Sequence, residues 1–271
     1  MPTAFDPGYG EEPFRSLVTS YPGAIAYPAG GFRLEWGPIF HRGRLDGTAR
    51  VLVIGQDPAQ HETIVRRILV GEAGRRIQGF LRKLGIATSY VMVKTYLYSV
   101  YGSVKAATKK SAALVGYRNQ WLDALLASGN VEAVLTLGGA AQEPWLMWKA
   151  TPAGAASGIA FAAMTHPTQP ESSSKGDRTK LAAATKTMLS NWNAALVAVA
   201  PSIMHPDVAD PHVPYGDAWA DGDRVAIPEM DFPAGLPSWM HEGDGWATRT
   251  GVDESKKRRN ITINVPKGFI P

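Results

Sequence analysis

Four short apolar runs, separated by stretches of helical periodicity, constrain the fold of this chain more than any other feature. Arg50-Val51-Leu52-Val53-Ile54 ends at Gly55, Tyr90-Val91-Met92-Val93-Lys94 ends at Thr95, Ala133-Val134-Leu135-Thr136-Leu137 ends at Gly138-Gly139, and residues 159–165 end at His166. Each has the length and polarity of a strand buried on both faces. Between the first two runs, Ile77, Phe80, Leu81 and Leu84 recur at helical spacing before Gly85, a natural helix stop. Residues 114–126 also read as a helix, and Gly138-Gly139 opens another. After the last run, Leu181, Met188, Leu189, Trp192 and Leu196 mark one stripe of a long helix starting near Asp177. Trp145, Trp148 and Trp192 fall on such stripes and read as core. Strands alternating with helices dictate right-handed crossovers, hence a three-layer α/β/α domain around a central parallel four-stranded sheet. Residues 49–200 hold that domain. Residues 1–48 read as an N-terminal extension, and residues 201–271, with nine prolines, as a C-terminal extension packed on or tethered to it.

In such sheets ligands bind outside the carboxyl ends of the strands. Two of those ends carry groups capable of chemistry. Gly55-Gln56-Asp57-Pro58 places a carboxylate in a proline-fixed turn, suited to stabilising positive charge or positioning water. Thr165-His166-Pro167-Thr168 holds an imidazole that can present a ring nitrogen to a ligand oxygen. Taken singly, each is also an ordinary strand-to-loop turn. Taken together beside a basic surface, they fit chemistry on a nucleotide.

The basic surface is read from the charge distribution. Glu62 to Arg118 contains eleven Lys/Arg and two acidic residues, whereas residues 201–271 contain seven basic and eleven acidic. A basic middle points to a phosphate-rich partner; a solvated helix face is the plainer reading. The chain has no cysteine, which removes disulfides, zinc–thiolate sites, iron–sulfur clusters and cysteine nucleophiles together. His205-Pro206-Asp207 and Asp210-Pro211-His212 look like a metal cluster, but prolines interrupt any helical ligand spacing. Neither a metal nor a cofactor is expected. No run of 18 apolar residues and no secretory leader is evident, so the cytoplasm, or the nucleoid of a bacterium, is the expected compartment, with no membrane partner. The basic cluster Lys256-Lys257-Arg258-Arg259 reads as a solvated face or a second nucleic-acid contact.

The motifs in this order resemble the uracil-DNA glycosylase superfamily. Gly55-Gln56-Asp57-Pro58-Ala59-Gln60 is similar to that family's first motif, a Gly-Gln-Asp-Pro-Tyr-His type string, and His166-Pro167-Thr168 to its last, a His-Pro-Ser type string. Leu69-Val70-Gly71-Glu72-Ala73-Gly74 is similar to the Phe-Val-Gly-x-Ala-Gly string of its iron–sulfur branch, and Leu137-Gly138-Gly139-Ala140-Ala141 to its third-strand pattern. The resemblance spans about Arg50 to Leu196 and leaves both extensions unmatched. It departs from every branch at several positions. Ala59 stands where a tyrosine excludes thymine's methyl group, Gln60 where a histidine follows, Leu69 where an aromatic stacks on the base, and Thr95 where an asparagine reads it. The cluster cysteines are missing, and no histidine lies between Tyr96 and Tyr117 to trap substrate covalently.

The resemblance implies a base-flipping DNA-repair glycosylase that hydrolyses the N-glycosidic bond of uracil in single- or double-stranded DNA, acting as a monomer and leaving an abasic site. Asp57 and His166 are then the catalytic pair. Gly55, Gln56, Pro58, Ala59, Gln60, Leu69 and Thr95 are the implied base-binding residues. Pro167, Thr168, Gln169, Ser172, Ser173, Ser174 and Lys175 are the implied DNA-binding loop. Two other readings stay open: a non-catalytic binder of uracil-containing or abasic DNA, and a glycosylase for another deaminated base such as hypoxanthine or xanthine.

Overall fold

The computed structural model describes residues 9–102, 104–209, 213–242 and 245–268. Strands β1 (His41–Gly43), β2 (Val51–Gly55), β3 (Tyr90–Lys94), β4 (Ala133–Leu137) and β5 (Ala160–Met164) form one sheet in the order β1-β3-β2-β4-β5. The four expected strands are mutually parallel, with Val51 opposite both Tyr90 and Ala133, and Ala133 opposite Ala160. The sheet therefore has five strands rather than four, because β1 adds an antiparallel edge with His41 opposite Val93. Strand order reverses at β2, whose neighbours are β3 on one side and β4 on the other. That reversal opens a crevice at the strands' carboxyl ends.

The pleat divides the core into two layers, since successive side chains point to opposite faces. Val51, Val53, Tyr90, Met92, Ala133 and Leu135 pack with Ile77, Phe80, Met188 and Trp192 of the helices Glu72–Lys83 and Arg178–Val199. Leu52, Ile54, Val91, Val93 and Val134 pack with Trp121, Trp145 and Trp148 of the helices Ala112–Leu126 and Gly139–Lys149. The three tryptophans read as core from the sequence are buried. Helix starts are held locally: Asp177 Oδ1 accepts the amides of Thr179 and Lys180 at 2.9 and 3.1 Å, and Ser111 Oγ that of Leu114 at 3.4 Å.

Both extensions are built into this frame. Phe14, Leu17, Tyr27 and Phe32 join the second layer. Ile227, Phe232, Trp239, Met240 and Trp246 form a third apolar cluster with Val65 and Val70 of the domain. A hairpin of β6 (Ala247–Arg249) and β7 (Ile261–Ile263) follows. Asp207 Oδ2 accepts the amides of Ala87, Thr88 and Ser89 at 2.7, 2.7 and 2.9 Å, and His205 Nδ1 pairs with Glu132. These two members of the metal-like cluster are thus pins for the chain; Asp210-Pro211-His212 lies outside the described residues. Among the described residues no group of three or more His, Cys, Asp or Glu could hold a metal ion. Nor is any described helix long and apolar enough to cross a membrane.

The tightest of these pins is Asp231. It accepts Arg42 Nη1 at 3.0 Å, Arg44 Nη2 and the Tyr90 hydroxyl, and its side chain and that of Arg42 are fully buried. β1 can bury Arg42 only because a carboxylate arrives from far along the chain. Asp231→Asn should therefore cost about 3–5 kcal/mol of stability in urea denaturation, because two buried guanidinium groups lose their counter-charge. A loss within about 0.5 kcal/mol, as at an ordinary surface site, would show that the cluster does not hold the C-terminal segment to the sheet.

Candidate active site

β2 ends at Gly55, and the chain turns through Gln56, Asp57 and the buried Pro58 into the helix Gln60–Val65. Standing before a proline, Asp57 is biased away from helical backbone. Its carboxylate is held at both oxygens: Gln56 Nε2 donates to Oδ1 at 2.9 Å and the Val100 amide to Oδ2 at 2.7 Å. Burial pushes its pKa above the ordinary aspartate value, against the pull of the Val100 amide, Lys94, Gln56 and Arg33.

His166 follows β5. The preceding Thr165 is fixed by its amide to Asn191 Oδ1 at 2.7 Å and by its carbonyl to Trp192 Nε1 at 3.0 Å. The Thr168 amide donates to His166 Nδ1 at 3.3 Å. A backbone N–H can only donate, so Nδ1 is an acceptor and the neutral ring carries its proton on Nε2. Burial, and after it the charge of Lys94, lowers the ring's pKa to about 4.

Asp57 and His166 line one cavity of about 540 Å³. That is within the range of roughly 300–1,000 Å³ common for small-molecule sites. Pro58, Ala59, Gln60 and Leu69 of the implied base-binding set also line it, together with Thr168 of the implied DNA-binding loop. Leu69 is buried with a φ of +54°, and its amide donates to Glu62 Oε1 at 2.7 Å. Gly55 contributes by what it lacks: a Cβ there would lie 2.9 Å from Lys94 Cδ. Gln56 and Gln169 lie instead along a neighbouring groove of about 800 Å³, with His166 on the wall between the two spaces.

Thr95 departs from expectation. It does not line the cavity, and its hydroxyl donates to the carbonyls of Gly55 and Ala140, each at 3.2 Å. The pleat explains this. Lys94 shares the face of Tyr90 and Met92, which borders the cavity, while Thr95 follows Val91 and Val93 to the other face. The residue that reaches the cavity from β3 is therefore Lys94, buried, with Nζ 3.3 Å from Glu62 Oε1. Glu62 Oε2 accepts the Ala59 amide at 3.2 Å, capping the helix Gln60–Val65 from its third position.

The expected DNA-binding loop is also different in form. Residues Gln169–Ser174 are a helix with Pro170 in its first turn, closed by Lys175 in the left-handed conformation. The hydroxyls of Ser172, Ser173 and Ser174 donate to carbonyls of their own turn, those of Thr168, Pro170 and Glu171. Ser172, Ser173 and Lys175 are exposed and Ser174 is buried. Pro167 is buried, its carbonyl accepting Arg76 Nη1 at 2.5 Å. The basic middle is likewise partly spent inside the molecule. Arg76 pairs with Glu72 and Glu171, Lys83 with Asp223 and Lys94 with Glu62, while Arg66 donates to the carbonyls of Trp36 and Pro38. Lys105 and Lys110 stay exposed.

Glu62, Lys94, Arg33 and Arg249 also line the cavity and are not among the site residues expected from the sequence. Lys94 had a local signal, as the polar third member of the alternation Tyr90, Met92, Lys94. Arg33 and Arg249 had none, since nothing local ties either extension to Asp57.

A family model for the uracil DNA glycosylase superfamily matches residues 42–196. The chain belongs to that superfamily. No curated protein matches it. Membership gives the general function, that of a DNA glycosylase of base excision repair with DNA as substrate. The superfamily's fold agrees with the mostly parallel sheet observed, and the matched span contains both the Asp57 and the His166 turns that line the cavity.

The His166 environment has a titration consequence. Its folded pKa of about 4 lies below the ordinary value of about 6.5, so between those values the unfolded chain binds more protons. The stability contributed by keeping this ring neutral is full above about pH 6.5 and is lost as pH falls toward 4. An NMR titration should find the His166 ring neutral at pH 6. A midpoint at or above 6.5 would mean the ring is solvated.

Proposed function

We propose that the protein removes uracil from DNA by hydrolysis of the N-glycosidic bond. The observation that carries this reading is that an anchored carboxylate and a neutral imidazole, from the ends of β2 and β5, line one cavity with room for an extruded nucleotide. The target nucleotide is extruded from the stack into that cavity. As the bond between C1′ and the base nitrogen breaks, its electron pair passes to the base and positive charge grows on the sugar. Asp57, ionised, stabilises that sugar cation and orients the water that attacks C1′, taking up its proton. The Nε2–H of His166 donates to the base oxygen on which negative charge collects, and a preorganised donor of this kind is worth ~3–4 kcal/mol. The base anion gains a proton from solvent and leaves, Asp57 returns the water's proton to solvent, and the DNA keeps an abasic sugar.

Lys94 supports selection of deaminated bases. An ammonium can only donate hydrogen bonds, so it accepts a carbonyl-bearing edge and opposes the amino group of cytosine or adenine. Hypoxanthine and xanthine carry the same type of carbonyl, and the small Ala59 leaves room at the cavity wall. A glycosylase for those bases is therefore the second reading. A panel of duplexes holding uracil, hypoxanthine, xanthine or cytosine decides between them by released base. We expect release from uracil, and no release from any member would overturn both readings.

Asp57→Asn should abolish turnover and leave DNA affinity within a few-fold of wild type; near-normal turnover would remove Asp57 from the mechanism. Because burial raises the Asp57 pKa, the acid limb of the kcat profile should lie above the ordinary aspartate value. Lys94→Met removes a cation that pulls this pKa down, so the limb should move to still higher pH. The same variant should lose roughly 10–100-fold in kcat/KM on uracil, the worth of one charged hydrogen bond. An unmoved limb in a folded variant would place Lys94 outside the field of Asp57.

A further inference from the structure

The cavity contains two arginines that come from outside the span matching the superfamily. Arg33 lies in the N-terminal segment, next to the Phe32–Val100 bridge, and Arg249 ends β6 in the C-terminal hairpin. Both line the cavity with Asp57. Both reach Ser99 Oγ, Arg33 Nη1 at 3.4 Å and Arg249 Nη2 at 3.1 Å, so one hydroxyl sets the two guanidinium groups side by side. Arg33 also donates to the Val100 carbonyl, in the residue whose amide holds Asp57. Arg249 is anchored through Trp246, which packs edge-on against His61 at 4.9 Å and belongs to the third apolar cluster.

Two like charges held together in a half-buried place repel, and an anion between them relieves this; Asp57 on the same cavity is one such anion, and a second can join them. Burial and then Arg33 bring the Arg249 pKa down to about 10, while Asp57 pulls it up. Its Nη1 is buried and has no hydrogen-bond partner. A guanidinium fork matches the paired oxygens of a phosphate better than any other common anion except a carboxylate. An extruded nucleotide brings such a group with it, because its flanking phosphodiesters travel with the sugar that Asp57 addresses.

We propose that Arg33 and Arg249 form a phosphate clamp, gripping a phosphodiester next to the extruded nucleotide. This rests on the glycosylase reading above. It makes the two extensions part of the DNA site, one arginine from each, and gives the C-terminal hairpin a role in substrate binding.

The test couples Arg249 to the phosphate directly. Uracil-containing duplexes are made with a neutral methylphosphonate at the linkage 5′ or 3′ to the target, and Kd and single-turnover rates are measured for the wild-type protein and Arg249→Gln. On native DNA, Arg249→Gln should weaken binding roughly 10–100-fold. It should also reduce the slope of log K against log salt by about one. At one of the two linkages the methylphosphonate should cost the wild type a similar factor and cost Arg249→Gln almost nothing more. Independent, multiplying losses at both linkages overturn the clamp while base release by the wild type leaves the glycosylase reading intact. Absence of both base release and binding by the wild type overturns the reading and the clamp with it. If Arg249→Gln does not fold, as judged by thermal melting, Arg249→Lys replaces it. That variant keeps the charge and loses the fork, so the same non-additivity is expected at reduced size, and full additivity again overturns the proposal.

Discussion

Glu62 is the group on which the rest of the site depends. One carboxylate caps the helix that leaves the Asp57 turn, fixes the left-handed Leu69 through its amide, and neutralises Lys94 at the end of β3. Three chain segments are thereby tied at a single buried point. A buried ion pair contributes little to net stability, because desolvation offsets the attraction, but it strongly opposes any arrangement that separates the partners. Register is the benefit here. A one-residue slip of β3 would turn Lys94 away and leave two uncompensated charges in the core. The cavity is also shaped by close approach on this side. A Cβ at Gly74 would lie 1.6 Å from the Leu69 carbonyl oxygen, so only glycine lets the helix Glu72–Lys83 begin against that loop.

The superfamily's domain supplies Asp57 and His166, but the cavity around them is completed by segments beyond it. Arg33 and Arg249 stand at its lining, and Asp231, Asp207 and Trp246 hold the C-terminal segment in place. The tail's contacts with the sheet and its arginine at the cavity tie the burial of the tail to the geometry of the site. The acidic balance of that tail follows from the same fact. Asp207, Asp223 and Asp231 are partners for backbone amides and basic groups of the domain.

Much of this was legible in the sequence, and what was not has physical reasons. The four parallel strands and the helices packed on them follow from apolar periodicity, which reports burial directly. Asp57 and His166 were legible because strand ends of a parallel sheet converge. β1 was not, because three residues containing His41 and Arg42 carry no apolar signal, and their burial is licensed by Asp231. The resemblance points to Thr95, one position beyond Lys94, and in a strand one position exchanges faces. The serine run carries no helical periodicity in its polar composition and so reads as a loop. Back-donation of its hydroxyls, together with Pro170 in the first turn, makes it a helix. The count of basic residues exaggerated the free charge, since a sequence does not tell which arginines are answered by distant carboxylates.

The central claim is that Asp57 faces a sugar bearing positive charge. Affinity for two abasic duplexes tests it most directly, one carrying a neutral tetrahydrofuran at the target and the other a cationic pyrrolidine that mimics the oxocarbenium ion. The account predicts that the wild type binds the cationic duplex far more tightly and that Asp57→Asn erases the preference. Equal affinity of the wild type for both duplexes, or an undiminished preference in Asp57→Asn, would contradict it.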